Sequence, residues 1–251
     1  MTAVLETYDE GVYTITLNRP EKKNAMDYEL LKDLYDALKR AESQKAPFVI
    51  IRGSGKAFCS GGDIVAFKSD PDAAALIDAE AGVLHESIKT IRTMNAIVIA
   101  AIEGVAVGAG VGLALACDLS IATKNTIMNM GYRRIGLTPD GGASIFLARM
   151  VGAKRFNAFY LFSQNITMDE ARALGLVNIV CEEEDFEEKL NRIIASLRVL
   201  PMETIGYFKD LVNRSLYSGF ESHLDKERFY VSELAGKPLF KERIEEFLKN
   251  K

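Results

Sequence analysis

Two glycine-rich loops have the composition of a site that holds an oxygen atom with backbone N–H groups. Residues 108–112, Gly-Ala-Gly-Val-Gly, follow the continuous apolar run 97–102, and residues 60–63, Ser-Gly-Gly-Asp, follow the apolar run 48–52. Glycines ahead of a helix let a ligand approach free N–H groups closely. Two such loops that converge on one oxygen would form an oxyanion hole. Close packing of a helix on a strand would account for the same glycines.

Two glycine-containing segments, 108–112 and 53–56, resemble nucleotide-binding motifs but do not fit them. The spacing in 108–112 is Gly-x-Gly-x-Gly, and the next acidic residue, Asp118, follows after six residues, whereas a dinucleotide site has Gly-x-Gly-x-x-Gly and an acid about 20 residues later. Residues 53–56 resemble the end of a phosphate-binding P-loop, but Ala57 replaces the required Ser or Thr, and Ile50 replaces the first glycine. The sequence therefore argues against both kinds of nucleotide site.

Asp140 is a candidate acid–base residue in the segment 136–142, Gly-Leu-Thr-Pro-Asp-Gly-Gly. A carboxylate beside an oxyanion hole could remove and return a proton. The Pro-Asp-Gly sequence also favours a turn, and Asp140 could cap a helix over 142–150. The residues alone leave both interpretations open.

Composition and charge narrow the class of protein. A chain of 251 residues can bury a sizeable core in one or two domains, and its net charge of −4 gives no case for a nucleic-acid partner. Only two histidines and three widely spaced cysteines argue against a metal site and against a disulfide framework. We expect a reducing, cytoplasmic setting with no membrane partner, because residues 1–10 lack the apolar segment of a signal peptide and the longest apolar run is 96–102.

Hydrophobic periodicity predicts an α/β core followed by helices. Strand patterns occur at 12–17, 48–51, 97–102 and 119–122, and helix patterns follow Asp27 and cover 74–92 and 113–116. Thr167 opens a capping box, and helices are predicted at 201–216, 221–235 and 239–249. The chain thus divides into a predicted core, 1–195, and a helical C-terminal segment, 196–251.

Several motifs, in order along essentially the whole chain, resemble the enoyl-CoA hydratase/isomerase (crotonase) family. They are Asn18-Arg19-Pro20 with Asn24-Ala25-Met26, then 56–64, 100–110 and 171–177. The resemblance implies an α/β, crotonase-like spiral of β-β-α units with a helical C-terminal trimerisation segment. It also implies homo-trimers or hexamers and acyl-CoA substrates, with no cofactor besides the coenzyme A of the substrate.

The same resemblance implies roles for single residues. The backbone N–H groups of Gly62 and Ala109 would form the oxyanion hole around the thioester oxygen. Residues 60–64 would lie along the adenine and pantetheine, and a basic residue of the tail 247–251 could reach a neighbouring subunit's coenzyme A. Lys23 and Lys56 are candidates for the coenzyme A phosphates, although solvated surface lysines would look the same. The implied substrate-binding residues are Lys23, Lys56, Ser60, Gly61, Asp63, Ile64, Gly108, Tyr132, Phe247 and Lys251.

The chain departs from family members that hydrate a double bond. Those members use two glutamates on one water, and this chain has Gly112 and Tyr132 at the two positions. Hydration needs an acid and a base acting on the same water. In the isomerase branch a lone acid stands where this chain has Asp140. We therefore expect an enoyl-CoA isomerase that moves a double bond between C3 and C2, with Asp140, Gly62 and Ala109 as catalytic groups.

Other activities remain open at this stage. They are an enoyl-CoA hydratase of fatty-acid β-oxidation that uses other residues, thioester hydrolysis, aryl dehalogenation by a nucleophilic Asp140, and a non-catalytic acyl-CoA-binding subunit. The dehalogenase branch typically has a tryptophan beside that site, and this chain has none. We expect His85 at the surface or a subunit interface and His223 on the surface of a C-terminal helix.

Overall fold

The protein, described here by a computed structural model of residues 2–250, consists of two β-sheets surrounded by helices. The strands are β1 (Val4–Asp9), β2 (Val12–Leu17), β3 (Phe48–Gly53), β4 (Ile97–Ile102), β5 (Val105–Val107), β6 (Leu119–Thr123), β7 (Ile127–Asn129), β8 (Ile166–Thr167) and β9 (Ile179–Cys181). The helices are α1 (Tyr28–Ser43), α2 (Ile64–Ser69), α3 (Ala73–Thr93), α4 (Ala109–Ala116), α5 (Ala143–Val151), α6 (Ala153–Leu161), α7 (Met168–Ala173), α8 (Phe186–Leu197), α9 (Ile205–Leu216), α10 (Phe220–Ala235) and α11 (Pro238–Lys249).

The chain alternates between the two sheets. The larger sheet has the strand order β1-β2-β3-β4-β6-β9, and all its neighbours are parallel except the antiparallel pair β1 and β2. The smaller sheet has the order β5-β7-β8, and a bridge between Cys59 and Ala106 joins the chain after β3 to it. Strands β3, β4 and β6 of the larger sheet are thus each followed by a segment beside the smaller sheet. The mixed α/β architecture and the helical C-terminal part predicted from the sequence are confirmed.

Burial explains why the central strands read as continuous apolar runs. All six residues of β4 are buried, as in a parallel sheet covered on both faces. In α3, residues 77, 81, 84, 88 and 91 recur at helical spacing and are buried. Helix α3 packs against both α1 and α10, so the C-terminal helices lie on the core of the same chain. No helix among residues 2–250 is long and apolar enough to cross a membrane.

Some helix boundaries differ from the sequence prediction. Helix α4 begins at Ala109, not at 113, and its first turn includes two glycines. Glycine is needed at 110 because a Cβ there would meet the Cys59 carbonyl oxygen at 2.7 Å. Pro201 does not open a long helix: it precedes a single 3₁₀ turn, and α9 begins at Ile205. The predicted helix over 74–92 is confirmed as α3, whose first turn is capped by the Asp72 side chain.

Candidate active site

The two glycine-rich loops meet where β5 ends and α4 begins. A Cβ on Gly61 would stand only 2.9 Å from the carbonyl oxygen of Val107, so the loops touch backbone to backbone. Gly61 has a φ of +88° and Gly108 a φ of +55°, a left-handed region that residues with a Cβ rarely adopt. Glycine is therefore required at 61 for the close approach and the backbone conformation, and at 108 for the backbone conformation.

Two backbone N–H groups are left without an acceptor where these loops meet. Met26 donates to the Gly61 carbonyl and accepts from Asp63, and this bridge passes over the Gly62 N–H. Ala109 is the first residue of α4, so its N–H has no acceptor within the helix. Within residues 2–250 neither N–H has a hydrogen-bond partner. The pair can therefore hold an oxygen that becomes negatively charged, helped by the positive end of α4.

Both residues border a cavity of about 130 Å³. Its walls are mostly apolar and include Met26, Phe67, Ile77, Leu84 and Leu137, whereas Asp140 contributes a carboxylate to the same cavity. Apolar walls exclude water and strengthen the electrostatic interactions inside. The cavity therefore combines a candidate oxyanion hole with one candidate base.

Asp140 is buried and paired with His85. The His85 Nε2 atom lies 2.8 Å from Asp140 Oδ1, and the histidine is only 2% exposed. The expectation that His85 lies at the surface or an interface is therefore wrong. The other oxygen, Asp140 Oδ2, makes no hydrogen bond to any residue between 2 and 250. His85 thus orients the carboxyl group and leaves one oxygen for a substrate proton.

Glu227, on α10, organises the loop that carries Asp140. Its carboxylate accepts hydrogen bonds from the backbone N–H groups of Gly142 (2.7 Å) and Ser144 (2.9 Å) and from the Ser144 hydroxyl. These groups begin α5, so Glu227 caps that helix from another part of the chain. The alternative that Asp140 caps the helix is wrong, because no side chain of its own segment caps α5. His223, predicted at the surface, is exposed and bonds Ser144.

The electrostatics of this cluster favour proton exchange near neutral pH. Burial lowers the pKa of His85, but the Asp140 carboxylate outweighs burial and holds that pKa above its ordinary value. Burial, followed by the charge of Asp140, raises the pKa of Glu227 to about 7. His85, Asp140 and Glu227 are also the one trio among the described residues whose ligand atoms could surround a metal ion. Because Asp140 and His85 already bond each other and Glu227 already bonds the start of α5, we favour proton chemistry over metal binding.

At the two positions where hydratases carry glutamates, this chain has no carboxylate for the hydration of a double bond. A Cβ on Gly112 would overlap the carbonyl oxygen of Gly141, next to Asp140, so no side chain fits there without moving the loop. Tyr132 is buried in the cavity wall, and its hydroxyl donates to the Asp140 carbonyl oxygen at 2.7 Å. Gly112 leaves room for the loop that carries Asp140, Tyr132 holds the Asp140 carbonyl oxygen, and neither residue supplies a second carboxylate.

The other residues implied by the resemblance fall into three groups. Ser60, Gly61, Ile64, Gly108, Tyr132 and Phe247 border the cavity. Asp63, Lys23 and Lys56 do not border it. Asp63 caps α2 and pairs with Arg19 and Lys22. Both Lys23 and Lys56 are exposed, and Lys56 pairs with Glu183. Lys251 lies outside the described residues.

Sequence reasoning missed three buried polar residues, His85, Glu227 and Glu80. Glu80 is 5% exposed and borders the cavity on the side of α3. The signal for the two residues of α3 was available, because His85 and Glu80 fall on the stripe formed by the buried apolar positions 77, 81, 84 and 88. A polar residue on the buried face of a helix is a candidate site residue. Glu227 carried no such signal, because its partners are more than 80 residues away.

Comparisons with known proteins identify the family of the chain. The family model for enoyl-CoA hydratase/isomerase matches residues 7–251. The chain is 31% identical to 4-chlorobenzoyl coenzyme A dehalogenase-2 of Arthrobacter sp over 96% of this chain and 88% of the relative. It is 29% identical to 1,2-epoxyphenylacetyl-CoA isomerase of Escherichia coli (strain K12) over 99% of this chain and 96% of the relative.

Solved structures of related proteins show the fold of this chain. A crystal structure of an enoyl-CoA hydratase from Mycobacterium avium subsp. paratuberculosis K-10 matches with a TM-score of 0.90 at 29% identity, over 99% of this chain and 96% of that chain. This match confirms the crotonase-like fold expected from the sequence motifs. The chain belongs to the enoyl-CoA hydratase/isomerase family, whose members act on acyl-CoA.

Proposed function

We propose that the protein is an enoyl-CoA isomerase that moves a carbon–carbon double bond from C3 to C2 of an acyl-CoA thioester. The observation that carries the proposal is one cavity holding two unpartnered backbone N–H groups, of Gly62 and Ala109, together with the Asp140 carboxylate. One base and one oxyanion hole are sufficient for a proton shift, in which nothing is added to or removed from the substrate.

The reaction proceeds through an enolate. Asp140 Oδ2 removes the proton at C2, and the electrons move into the thioester oxygen, which the N–H groups of Gly62 and Ala109 stabilise. The protonated carboxyl group then returns the proton to C4, and the double bond forms between C2 and C3. His85 holds the carboxyl group in place through Oδ1. The proton removed from C2 is the one returned to C4, so the isomerisation consumes no other reactant.

Hydration is less well supported than isomerisation. A hydratase must hold a water between an acid and a base. At Gly112 a side chain would collide with the Asp140 loop, and at Tyr132 the hydroxyl is engaged by that loop. Asp140 and its partner His85 would have to supply both functions for the water.

The His85–Asp140 pair favours one second candidate, hydrolytic dehalogenation of an aryl-CoA thioester. Asp140 Oδ2 would attack the ring carbon and displace chloride, and His85 would help a water to hydrolyse the resulting ester. The 31% identical relative named 4-chlorobenzoyl coenzyme A dehalogenase-2 supports this candidate. Release of chloride from 4-chlorobenzoyl-CoA by the purified protein would favour it over isomerisation.

A direct assay separates these activities. Purified protein is incubated with 3-hexenoyl-CoA, and the product is examined by ultraviolet absorbance and mass spectrometry. We expect the absorbance of a conjugated enoyl thioester at unchanged mass. A product heavier by one water would identify a hydratase, and a mass reduced to free coenzyme A would identify a thioesterase; either result would refute the proposal.

A further inference from the structure

Glu80 places a buried carboxyl group in the cavity wall that the proposed isomerisation does not use. It lies on α3, one helical turn before Leu84, and the whole residue is 5% exposed. Its Oε1 atom is buried and has no hydrogen-bond partner among residues 2–250. Buried polar atoms in native proteins nearly always have a partner, because an unpartnered one lowers stability. A water, an ion or a ligand group can supply the missing partner of such an atom.

The surroundings of Glu80 keep its carboxyl group neutral. The cavity residues next to it on α3 are the apolar Ile77, Ala81 and Leu84. Burial, followed by the negative charges of Asp27 and Asp63, raises the pKa of Glu80 to about 8. At neutral pH the group therefore carries an O–H that can donate and a carbonyl oxygen that can accept.

A hydroxyl group matches this pair of functions. It can accept from the carboxylic acid and donate to its carbonyl oxygen at the same time. A plain alkyl chain would leave Oε1 without a partner. The cavity, of about 130 Å³, has room for a short acyl chain or a single ring, because a cavity of roughly 150 Å³ holds one benzene ring.

We propose that Glu80 recognises a hydroxyl group on the acyl part of the substrate, and that the substrates are short-chain or single-ring hydroxyacyl thioesters. The proposal rests on the proposed function only in requiring that the acyl group of a coenzyme A thioester enters this cavity. Glu80 is then a specificity-determining residue, distinct from the Asp140 group that moves the proton.

Binding of thioesters that cannot isomerise tests the proposal independently of catalysis. Dissociation constants are measured by calorimetry for hexanoyl-CoA against 6-hydroxyhexanoyl-CoA, and for phenylacetyl-CoA against 4-hydroxyphenylacetyl-CoA. We expect the wild-type protein to bind the hydroxylated member of at least one pair about tenfold more tightly. Glu80→Leu should abolish this preference and bind the parent thioester at least as well, because the unpartnered oxygen is gone. Glu80→Met serves as a second apolar variant in case the leucine variant does not fold.

A matched control lies on the same helix. Glu86 is exposed and does not border the cavity, so Glu86→Gln should keep the wild-type preference. Equal or weaker binding of both hydroxylated thioesters by the wild-type protein would overturn the proposal, as would a hydroxyl preference that survives in Glu80→Leu or Glu80→Met. Because none of these thioesters isomerises, a failed isomerase assay would leave this result unaffected, and the reverse also holds.

Discussion

At the scale of single residues, the chemistry depends on the environment of Asp140. Its Oδ1 is held by His85 at 2.8 Å, and its backbone oxygen is held by Tyr132 at 2.7 Å, so the free Oδ2 has a fixed position. We predict that Asp140→Asn folds but loses isomerase activity by about 100-fold or more, because an amide cannot remove the C2 proton. Steady-state assays with 3-hexenoyl-CoA measure the loss.

Tyr132→Phe is the matched comparison for Asp140→Asn. It removes the hydroxyl that supports the loop but leaves the carboxylate, so we expect a smaller loss than for Asp140→Asn. Wild-type turnover in Asp140→Asn together with an inactive Tyr132→Phe would mean that Asp140 is a turn residue and that the chemistry lies elsewhere.

A second residue-scale prediction concerns Glu80 and the stability of the protein. The pKa of Glu80 is about 8 in the folded chain and has an ordinary value of 4.5, so between these pH values the folded state holds a proton that the unfolded state has lost. The resulting contribution to the free energy of unfolding is full below pH 4.5 and falls as the pH rises toward 8. We predict that Glu80→Gln flattens this dependence by up to about 1.4 kcal/mol per pH unit.

Urea denaturation at pH 5.5 and pH 7.5 measures this effect. His85 and Glu227 titrate in both proteins, so the difference between wild type and Glu80→Gln isolates Glu80. If the two unfolding free energies change in parallel with pH, the pKa of Glu80 is not raised in the folded state.

At the scale of elements, the start of α4 is the most informative feature. Ala109 is the first residue of the helix, where proline is well tolerated and removes only an N–H that has no acceptor. Ala109→Pro should therefore fold normally and lose about 10²–10³ in turnover, the usual cost of one oxyanion donor. Ala109→Ser keeps the N–H and should stay close to wild type. Circular dichroism checks the fold, and a folded proline variant with near-normal turnover would show that this N–H is not part of the oxyanion hole.

Elements with local signals could be predicted from the sequence, and those that depend on distant partners could not. The capping residues Asp27 and Thr167 begin helices where expected, because each bonds a backbone N–H three residues on. The start of α4 was missed because its glycines are explained by close contact with Cys59 and Gly141, which lie far away in sequence. Asp140 was considered as a possible cap of α5, because local reasoning cannot find Glu227, 83 to 85 residues away.

The same distinction holds for the candidate site. Gly62, Ala109 and Asp140 were found from the loop motifs, and the structure brings all three to one cavity. His85 was expected at the surface although it falls on the buried stripe of α3, and its partner Asp140, 55 residues away, could not be identified from the sequence. Lys23 and Lys56 were candidates for the coenzyme A phosphates, and neither borders the cavity, so that role stays a prediction.

At the scale of the whole molecule, the C-terminal helices belong to the site as well as to the surface. Glu227 and Val231 of α10 and Phe247 of α11 reach the loop or the cavity, so the site needs the C-terminal segment 196–251. Helix α9, by contrast, exposes Tyr207, Phe208 and Leu211, a contiguous apolar face.

We predict that this face contributes to a trimer or hexamer, the assembly implied by the family resemblance. Static light scattering at micromolar concentration should give about three or six times the 27.7 kDa chain mass. Substituting both Phe208 and Leu211 by aspartate should lower that mass by disrupting the apolar contact. A wild-type protein that scatters as a monomer would contradict the prediction.

The central claim is that one carboxyl group, that of Asp140, removes a proton at C2 and returns it at C4 inside a cavity shielded from water. The most direct measurement is the isomerisation of 3-hexenoyl-CoA in D₂O, with the deuterium content at C4 of the product determined by NMR. The account predicts 2-hexenoyl-CoA with clearly less than one deuterium per molecule at C4, because the proton is carried by the protein. A 3-hydroxyacyl product, or one full deuterium at C4 in every molecule, would contradict it.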